Sequence, residues 1–501
     1  MPRRRRLLAP TGRLASLACL VAAGAGCAAV HPGSPTSKPV AYPLAAVRPT
    51  AAAPAGRFEG DLAELLERAG PSDRFVTLVD LTEQLDLRAL DRRLREGGAS
   101  KSARRDAVIQ ALEQVALRQQ SRLTIRIEGL QATGDVGYVR PVAIVNRLIV
   151  EGTAKGLVAL AGSPEVAVIR PDWTSQKPRG RIHNEPATIP IPLGESFRSW
   201  AIDAIGAGTL WASGIDGTGV VVGSIDTGVF EGHEQLSGRS VPGERGWFDP
   251  VEGSSVPSDS HGHGTSVLSV AVGANPSGRI VGVAPGARWC AALGNWRNFY
   301  SRSRMTLAAD WMLRVGRPDV LVNAWSHDEG PCVDFDRPFI DAWKASGIFV
   351  VFPAGNSGPE PSSGEAPAQL SGIFPDGGAV FSVAALSESG RPLPLSSRGP
   401  SRCGSAGFPT LAAPGGDLPI AAPGNPHGYV RGDGTSLTAG VVAGAAALLL
   451  QAVPEADPQE LERALVASAR DVDPPGRDDA SGAGAIDLPR ALAFLRSEVK
   501  R

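Results

Sequence analysis

Val220-Val-Val-Gly-Ser-Ile-Asp-Thr-Gly-Val229 decides how the larger part of this chain is read. An apolar run ends on a carboxylate, Asp226, and a turn follows at once. Continuous apolar character without alternation suits a strand covered on both faces. In open α/β sheets, functional groups gather at the carboxyl ends of the strands, which makes Asp226 a candidate. Similar runs recur at Arg288–Leu293, Val320–Trp325, Ile348–Phe352 and Val380–Ala385, with helical patterns between them, including Thr306–Val315 and Pro338–Ala345. Strands alternating with helices predict an α/β fold, a mostly parallel sheet with helices on both faces. Asp-Thr-Gly also marks aspartic proteases, but those use two such carboxylates sharing a proton, and no second Asp-Thr-Gly exists here.

Two further segments carry chemistry. Asp259-Ser-His-Gly-His-Gly-Thr-Ser-Val267 places two histidines among small residues at the head of an apolar helix expected over Ser266–Val272. A metal site of the His-Glu-x-x-His kind has no counterpart in it. Gly432-Asp-Gly-Thr-Ser-Leu-Thr-Ala-Gly-Val-Val-Ala-Gly444 places a serine where an apolar helix begins, at the positive end of its dipole. The plain alternative is that Thr435 or Ser436 only caps that helix.

In the order Asp226, His263, Ser436, these segments resemble the subtilisin-like serine proteases, with Ile-Asp-Thr-Gly, His-Gly-His-Gly-Thr and Gly-Thr-Ser-Leu-Thr-Ala as the matching motifs. Phe352-Pro-Ala-Gly-Asn-Ser-Gly358 resembles the family's oxyanion segment. Trp200-Ala-Ile-Asp-Ala-Ile-Gly, Asp216-Gly-Thr-Gly, Val283-Ala-Pro-Gly-Ala and Pro318-Asp-Val-Leu-Val-Asn-Ala-Trp325 point within the family to the bacillopeptidase F-type group.

The resemblance implies a subtilisin-like catalytic domain over 196–495 that hydrolyses polypeptide substrates. Asp226, His263 and Ser436 would be the catalytic triad and Asn356 the oxyanion donor. His263 is preferred to His261 because it directly precedes Gly-Thr. Ala324, Trp325 and Ser326 would line the substrate cleft. There the chain departs from its relatives: Ala324, Ser326 and His327 stand where Ser and two Gly are usual, which is expected to narrow the cleft and alter the preferred side chain. Gly440 replaces a usual Pro and is expected to loosen the helix start, and Ser266 replaces a usual second His. The chemistry requires no cofactor. Calcium commonly stabilises the family, but no ligand set for it is readable here.

Outside this region the chain divides further. Arg3–Arg6, an apolar run from Leu14 to Ala25 and small residues before Cys27 have the architecture of an export signal over 1–27. Gly26-Cys27 resembles the end of a lipobox, which would lipidate Cys27 and tether the chain to a membrane. Ala23-Gly24-Ala25 offers the other reading, cleavage and free secretion; the lipoprotein reading is preferred. The protein is thus expected outside the cytoplasm, anchored in the cell envelope or secreted. Residues 28–56, with six prolines, read as a tether. Residues 57–175 read as a small α+β unit in the order β-α-β-α-β, and Ile144-Val-Asn-Arg-Leu-Ile-Val150 resembles the propeptide of the bacillopeptidase F-type group. The resemblance makes this unit an intramolecular inhibitor. The basic, Pro-rich stretch 176–195 is expected to be an exposed linker holding the processing site.

Composition agrees with several folded units and argues against other classes. The chain has 501 residues, 43% hydrophobic, with 50 Lys and Arg against 51 Asp and Glu. A net charge of −1 gives no support for nucleic-acid binding. Five cysteines include Cys290, Cys332 and Cys403 in the expected catalytic region, enough for one disulfide whose pairing the sequence leaves open. A catalytically impaired scaffold with a degraded cleft remains the alternative function, and the four retained polar groups argue against it.

Overall fold

The strand that ends on Asp226 lies inside a seven-stranded sheet. The computed structural model describes residues 47–49, 57–172, 189–295, 301–326, 332, 335–371, 380–404, 407–472 and 474–498. Across the sheet the strands run Trp247–Phe248, Arg288–Leu293, Val221–Asp226, Val320–Val322, Phe349–Pro353, Phe381–Leu386 and Leu411–Pro414. Every neighbouring pair is parallel. From Val221–Asp226 the chain builds first towards one edge and then, from Val320 onwards, towards the other. That reversal opens a crevice at the strands' carboxyl ends.

Side chains alternate across the sheet as the two-residue period requires. Val222, Val320, Val322, Phe349 and Val351 pack with helices His263–Val272 and Thr435–Ala452. Ile225, Leu321, Val350 and Phe352 pack with helices Arg302–Trp311 and Arg337–Ala345 on the other face. Helix Thr435–Ala452 is long and apolar enough to cross a membrane by length and composition, and its burial in this core accounts for its apolarity.

Gly440, expected to loosen the start of its helix, lies where two helices meet. A Cβ there would stand 2.8 Å from the Val267 carbonyl oxygen, and one on Gly444 would stand 2.6 Å from that of Ala271. The two glycines, one turn apart, let helices Thr435–Ala452 and His263–Val272 approach closely. The helix expected from Thr306 begins earlier, at Arg302, and ends in a π turn over Met312–Gly316.

Residues 57–172 form a second, antiparallel sheet in the order Val136–Val142, Arg147–Thr153, Arg74–Leu81, Val166–Pro171. Residues 136–153 form a hairpin, where the expected β-α-β-α-β order has a single strand. Its turn ends at Asn146, which takes the left-handed φ of 41° that Asn tolerates better than most side chains. Two helices stand where one was expected, Leu87–Glu96 and Lys101–Ala132. Val79, Leu81, Leu148 and Val150 build this unit's own core with Leu123, Ile127 and Leu157. Leu78, Ile149, Val142 and Ile144 instead share a cluster with Trp311, Phe335, Phe339 and Trp343 of the C-terminal body.

Polar contacts border that shared core. Arg105 donates to the carbonyls of Arg317 and Pro318, both at 2.8 Å, and to that of Ser346. Asp172 accepts from the Ser301 hydroxyl at 3.0 Å and from the Ser303 amide at 3.2 Å. The stretch expected as linker lies mostly outside the described residues. Its end, Ile189–Ile191, is a strand paired antiparallel with Tyr429–Gly432, in a three-stranded sheet completed by Leu418–Ala421. Cys332 and Cys403 form a disulfide with Cα atoms 5.3 Å apart, and Cys290 is a buried free thiol that burial pushes up to about 12.

Candidate active site

Asp226 is the last residue of its strand and is 2% exposed. His263 is the first residue of helix His263–Val272. Its Nδ1 lies 2.7 Å from Asp226 Oδ1, which also accepts from the Thr227 amide at 2.7 Å. The approach depends on Gly264: a Cβ there would lie 2.2 Å from the Gly228 carbonyl oxygen and 3.0 Å from the Asp226 Cβ. The glycine after the histidine is therefore what lets this helix start against the end of the strand.

Asp259 holds the same junction, and sequence reasoning passed over it although it opens the quoted histidine segment. One of its oxygens accepts from the Thr227 hydroxyl and from the amides of His261 and Gly262. The other accepts from the amide and hydroxyl of Thr265, at 3.0 and 2.6 Å. Thr227 passes the restraint on, since its hydroxyl also accepts from the Gly264 amide at 3.0 Å.

Ser436 occupies the second position of helix Thr435–Ala452. The residue capping that helix is Gly434, at φ 148° and without a side-chain bond, so neither Thr435 nor Ser436 is the cap. The uncapped first turn points amide hydrogens outward, as an anion-binding helix terminus does. Ser436 Oγ lies 3.4 Å from the Ala324 carbonyl oxygen, to which it donates. Asn356 follows strand Phe349–Pro353. Its Oδ1 accepts from both the amide and the hydroxyl of Thr435, at 3.0 and 2.8 Å. Those bonds fix the amide orientation and leave Nδ2 as the group offered to a ligand. A Cβ on Gly434 would stand 3.8 Å from Asn356 Nδ2 and 3.9 Å from the Ser436 amide nitrogen, so the two donors flank one spot.

His263, Ser436, Asn356, Ala324, Trp325 and Ser326 line a single cleft of about 320 Å3. His261 lies on its wall, its ring centroid 6.4 Å from that of His263. Ala324 and Ser326, where the cleft was expected to narrow, both line it. Trp325 is 3% exposed and packs edge-on against Phe352, and the Ser326 hydroxyl turns to the Glu365 carboxylate. Cys27 and His327 lie outside the described residues.

Comparison with known proteins gives the family of the chain that carries this cleft. The model of the subtilase family matches residues 217–484. The chain belongs to the subtilase family. Bacillopeptidase F of Bacillus subtilis is 28% identical over 390 residues, which cover 73% of this chain and 27% of that protein. Serine protease AprX of the same organism is 28% identical over 309 residues, covering 56% of this chain and 67% of AprX. Mycosin-1 of Mycobacterium tuberculosis is 31% identical over 323 residues, covering 56% of this chain and 69% of mycosin-1. The chain thus spans about a quarter of the length of bacillopeptidase F.

Among the described residues of this subtilase, no group of three or more His, Cys, Asp or Glu side chains is placed to hold a metal ion.

Proposed function

We propose that this chain is the exported precursor of a serine endopeptidase whose triad is Asp226, His263 and Ser436. The observation that carries the reading is the 2.7 Å contact between His263 Nδ1 and Asp226 Oδ1, in the cleft that Ser436 lines. A serine hydroxyl is a poor nucleophile at neutral pH and requires a base. Asp226 keeps the proton on Nδ1, so Nε2 is free to take the Ser436 proton as Oγ bonds to the scissile carbonyl carbon. The resulting oxyanion is received by Asn356 Nδ2 and the Ser436 amide, both donors set before substrate arrives. His263 then returns the proton to the leaving amine, and water attacks the acyl-serine by the same route in reverse.

Residues 57–172 act in this reading as an intramolecular inhibitor and folding aid. Their shared core with Trp311, Phe339 and Trp343 supports a docked rather than a tethered role. Processing is assigned to 176–195, and Cys27 to lipid attachment after export. The test is intact mass and N-terminal sequencing of the wild type beside Ser436→Ala. The wild type is expected to be cut within residues 171–195 and the variant to stay joined to residues 57–172. Two uncut, folded proteins that hydrolyse no peptide would instead support a scaffold. The same masses show whether Cys27 carries lipid.

A further inference from the structure

The proton transfers above leave one buried carboxylate of the cleft unused. Glu365 lines it beside Trp325, Ser326, Gly355 and Asn356, and is 9% exposed. One oxygen accepts from the Ser326 hydroxyl and the other from the Ser357 hydroxyl at 2.6 Å. No Lys, Arg or His among the described residues pairs with it. A carboxylate offers about four lone-pair positions, so two hydroxyls leave half of them open. An ionised carboxylate taken out of water is costly unless a cation or further donors meet it. Among the described residues, its partners are two neutral donors and no counter-charge.

The position of this carboxylate relative to the oxyanion donors selects which part of a substrate it meets. A Cβ on Gly355 would stand 2.9 Å from the Glu365 carboxyl carbon, and Gly355 directly precedes Asn356. A carbonyl held at Asn356 and the Ser436 amide belongs to the residue on the acyl side of the scissile bond. That residue's side chain leaves from beside Gly355, into the part of the cleft walled by Trp325, Ser326 and Glu365. A long cationic side chain reaches the carboxylate there and meets its open lone pairs, as paired charges do in desolvated sites. An apolar side chain would leave the charge buried and unanswered.

We infer that Glu365 determines specificity and selects substrates with Arg or Lys immediately before the scissile bond. The inference rests on the endopeptidase reading above and adds the substrate class to it. The test compares self-processed wild type with Glu365→Gln on fluorogenic peptides that differ only in carrying Arg, Lys, Leu or Phe at that position. In the wild type, kcat/KM is expected to favour Arg or Lys over Leu by at least about tenfold, the scale of losing one partner of a desolvated charge pair. In Glu365→Gln that ratio should collapse, with turnover of the Leu peptide kept or raised. Because the ratio is taken within one preparation, partial misfolding does not move it.

A wild type that prefers Leu or Phe, with a ratio unchanged in the variant, would overturn the inference and leave Glu365 as a brace between Ser326 and Ser357. Absence of turnover on every peptide, together with absence of self-processing, would instead sink the endopeptidase reading and the inference with it. Should Glu365→Gln not fold, wild-type inhibition decides the matter. Benzamidine should inhibit at least about tenfold more strongly than uncharged benzamide, and equal inhibition would overturn the inference.

Discussion

Thr435 shows how much of this site depends on a residue outside the proposed triad and oxyanion donors. Fully buried, it sends both its amide and its hydroxyl to Asn356 Oδ1. Removing Asn356 itself by Asn356→Ala should cost about 100–1000-fold in kcat, the scale seen for this donor in subtilisin, a member of the same family. Thr435→Val keeps the volume and the amide bond but deletes the hydroxyl bond, worth about 1 kcal/mol. We expect kcat to fall about fivefold with KM nearly unchanged, and Thr435→Ser to restore it. Steady-state kinetics on one peptide checks this; a Thr435→Ser variant as slow as Thr435→Val would mean that the hydroxyl bond alone does not set kcat. The residues proposed as triad and oxyanion donor, Asp226, His263, Ser436 and Asn356, could be singled out in the sequence because each lies in a short local motif. Glu365 was not, because its roles arise from contacts with Ser326 and Gly355 that only the fold creates.

At the scale of elements, the two helices that begin at His263 and Thr435 must lie close enough for their first residues to share a cleft. The small residues along their contact set that distance. Gly444→Ala would place a methyl group 2.6 Å from the Ala271 carbonyl and 2.7 Å from the Val283 Cβ. Alanine gains about 1 kcal/mol of helix propensity over glycine, while overpacking a tight core costs about 1–3 kcal/mol. The contact distances are short enough for overpacking to win. We expect a lower urea midpoint for Gly444→Ala, measured in the Ser436→Ala background to prevent self-digestion, and a raised midpoint would mean that the helices part without cost. The sequence marked the buried strands well because apolar runs without alternation leave few other readings. It missed helix Leu87–Glu96, whose apolar core face is only Leu87, Leu90 and Leu94 among six charged residues. It also fused the hairpin over 136–153, because the turn residues Ala143, Ile144 and Val145 are as apolar as the strands they join.

For the whole molecule, the question is what holds residues 57–172 on the C-terminal body. Asp80 sits at the centre of the polar part of that contact. It accepts from Arg147, with Nη2 at 3.1 Å, and from Arg170 Nε at 2.8 Å. Arg147 continues across the junction to the Thr306 hydroxyl at 3.0 Å and lies 4.5 Å from the centre of the Phe335 ring. Arg170 continues to Glu59, which pairs with Arg302. Burial alone would raise the Asp80 carboxyl, but the charges and hydrogen bonds of Arg147 and Arg170 outweigh it and hold the carboxyl below its ordinary 3.8.

A carboxyl lowered in the folded state stabilises the fold above its unfolded value, and that stability disappears as pH falls through the folded value. Asp310, which accepts from the Ile144 amide at 3.1 Å across the same junction, has the opposite sign. Its burial dominates and raises it, so its contribution is full below 3.8 and is lost as pH rises through the raised value. The contact should therefore hold best in weak acid and weaken as pH falls below 3.8, being lost once Asp80 takes up its proton at its lowered value. Urea unfolding of Ser436→Ala across pH 3–7 measures this, and adding Asp80→Asn should flatten the acid limb. An acid limb of unchanged steepness in the double variant would assign the loss to other carboxylates and remove Asp80 from the account of how the unit is held.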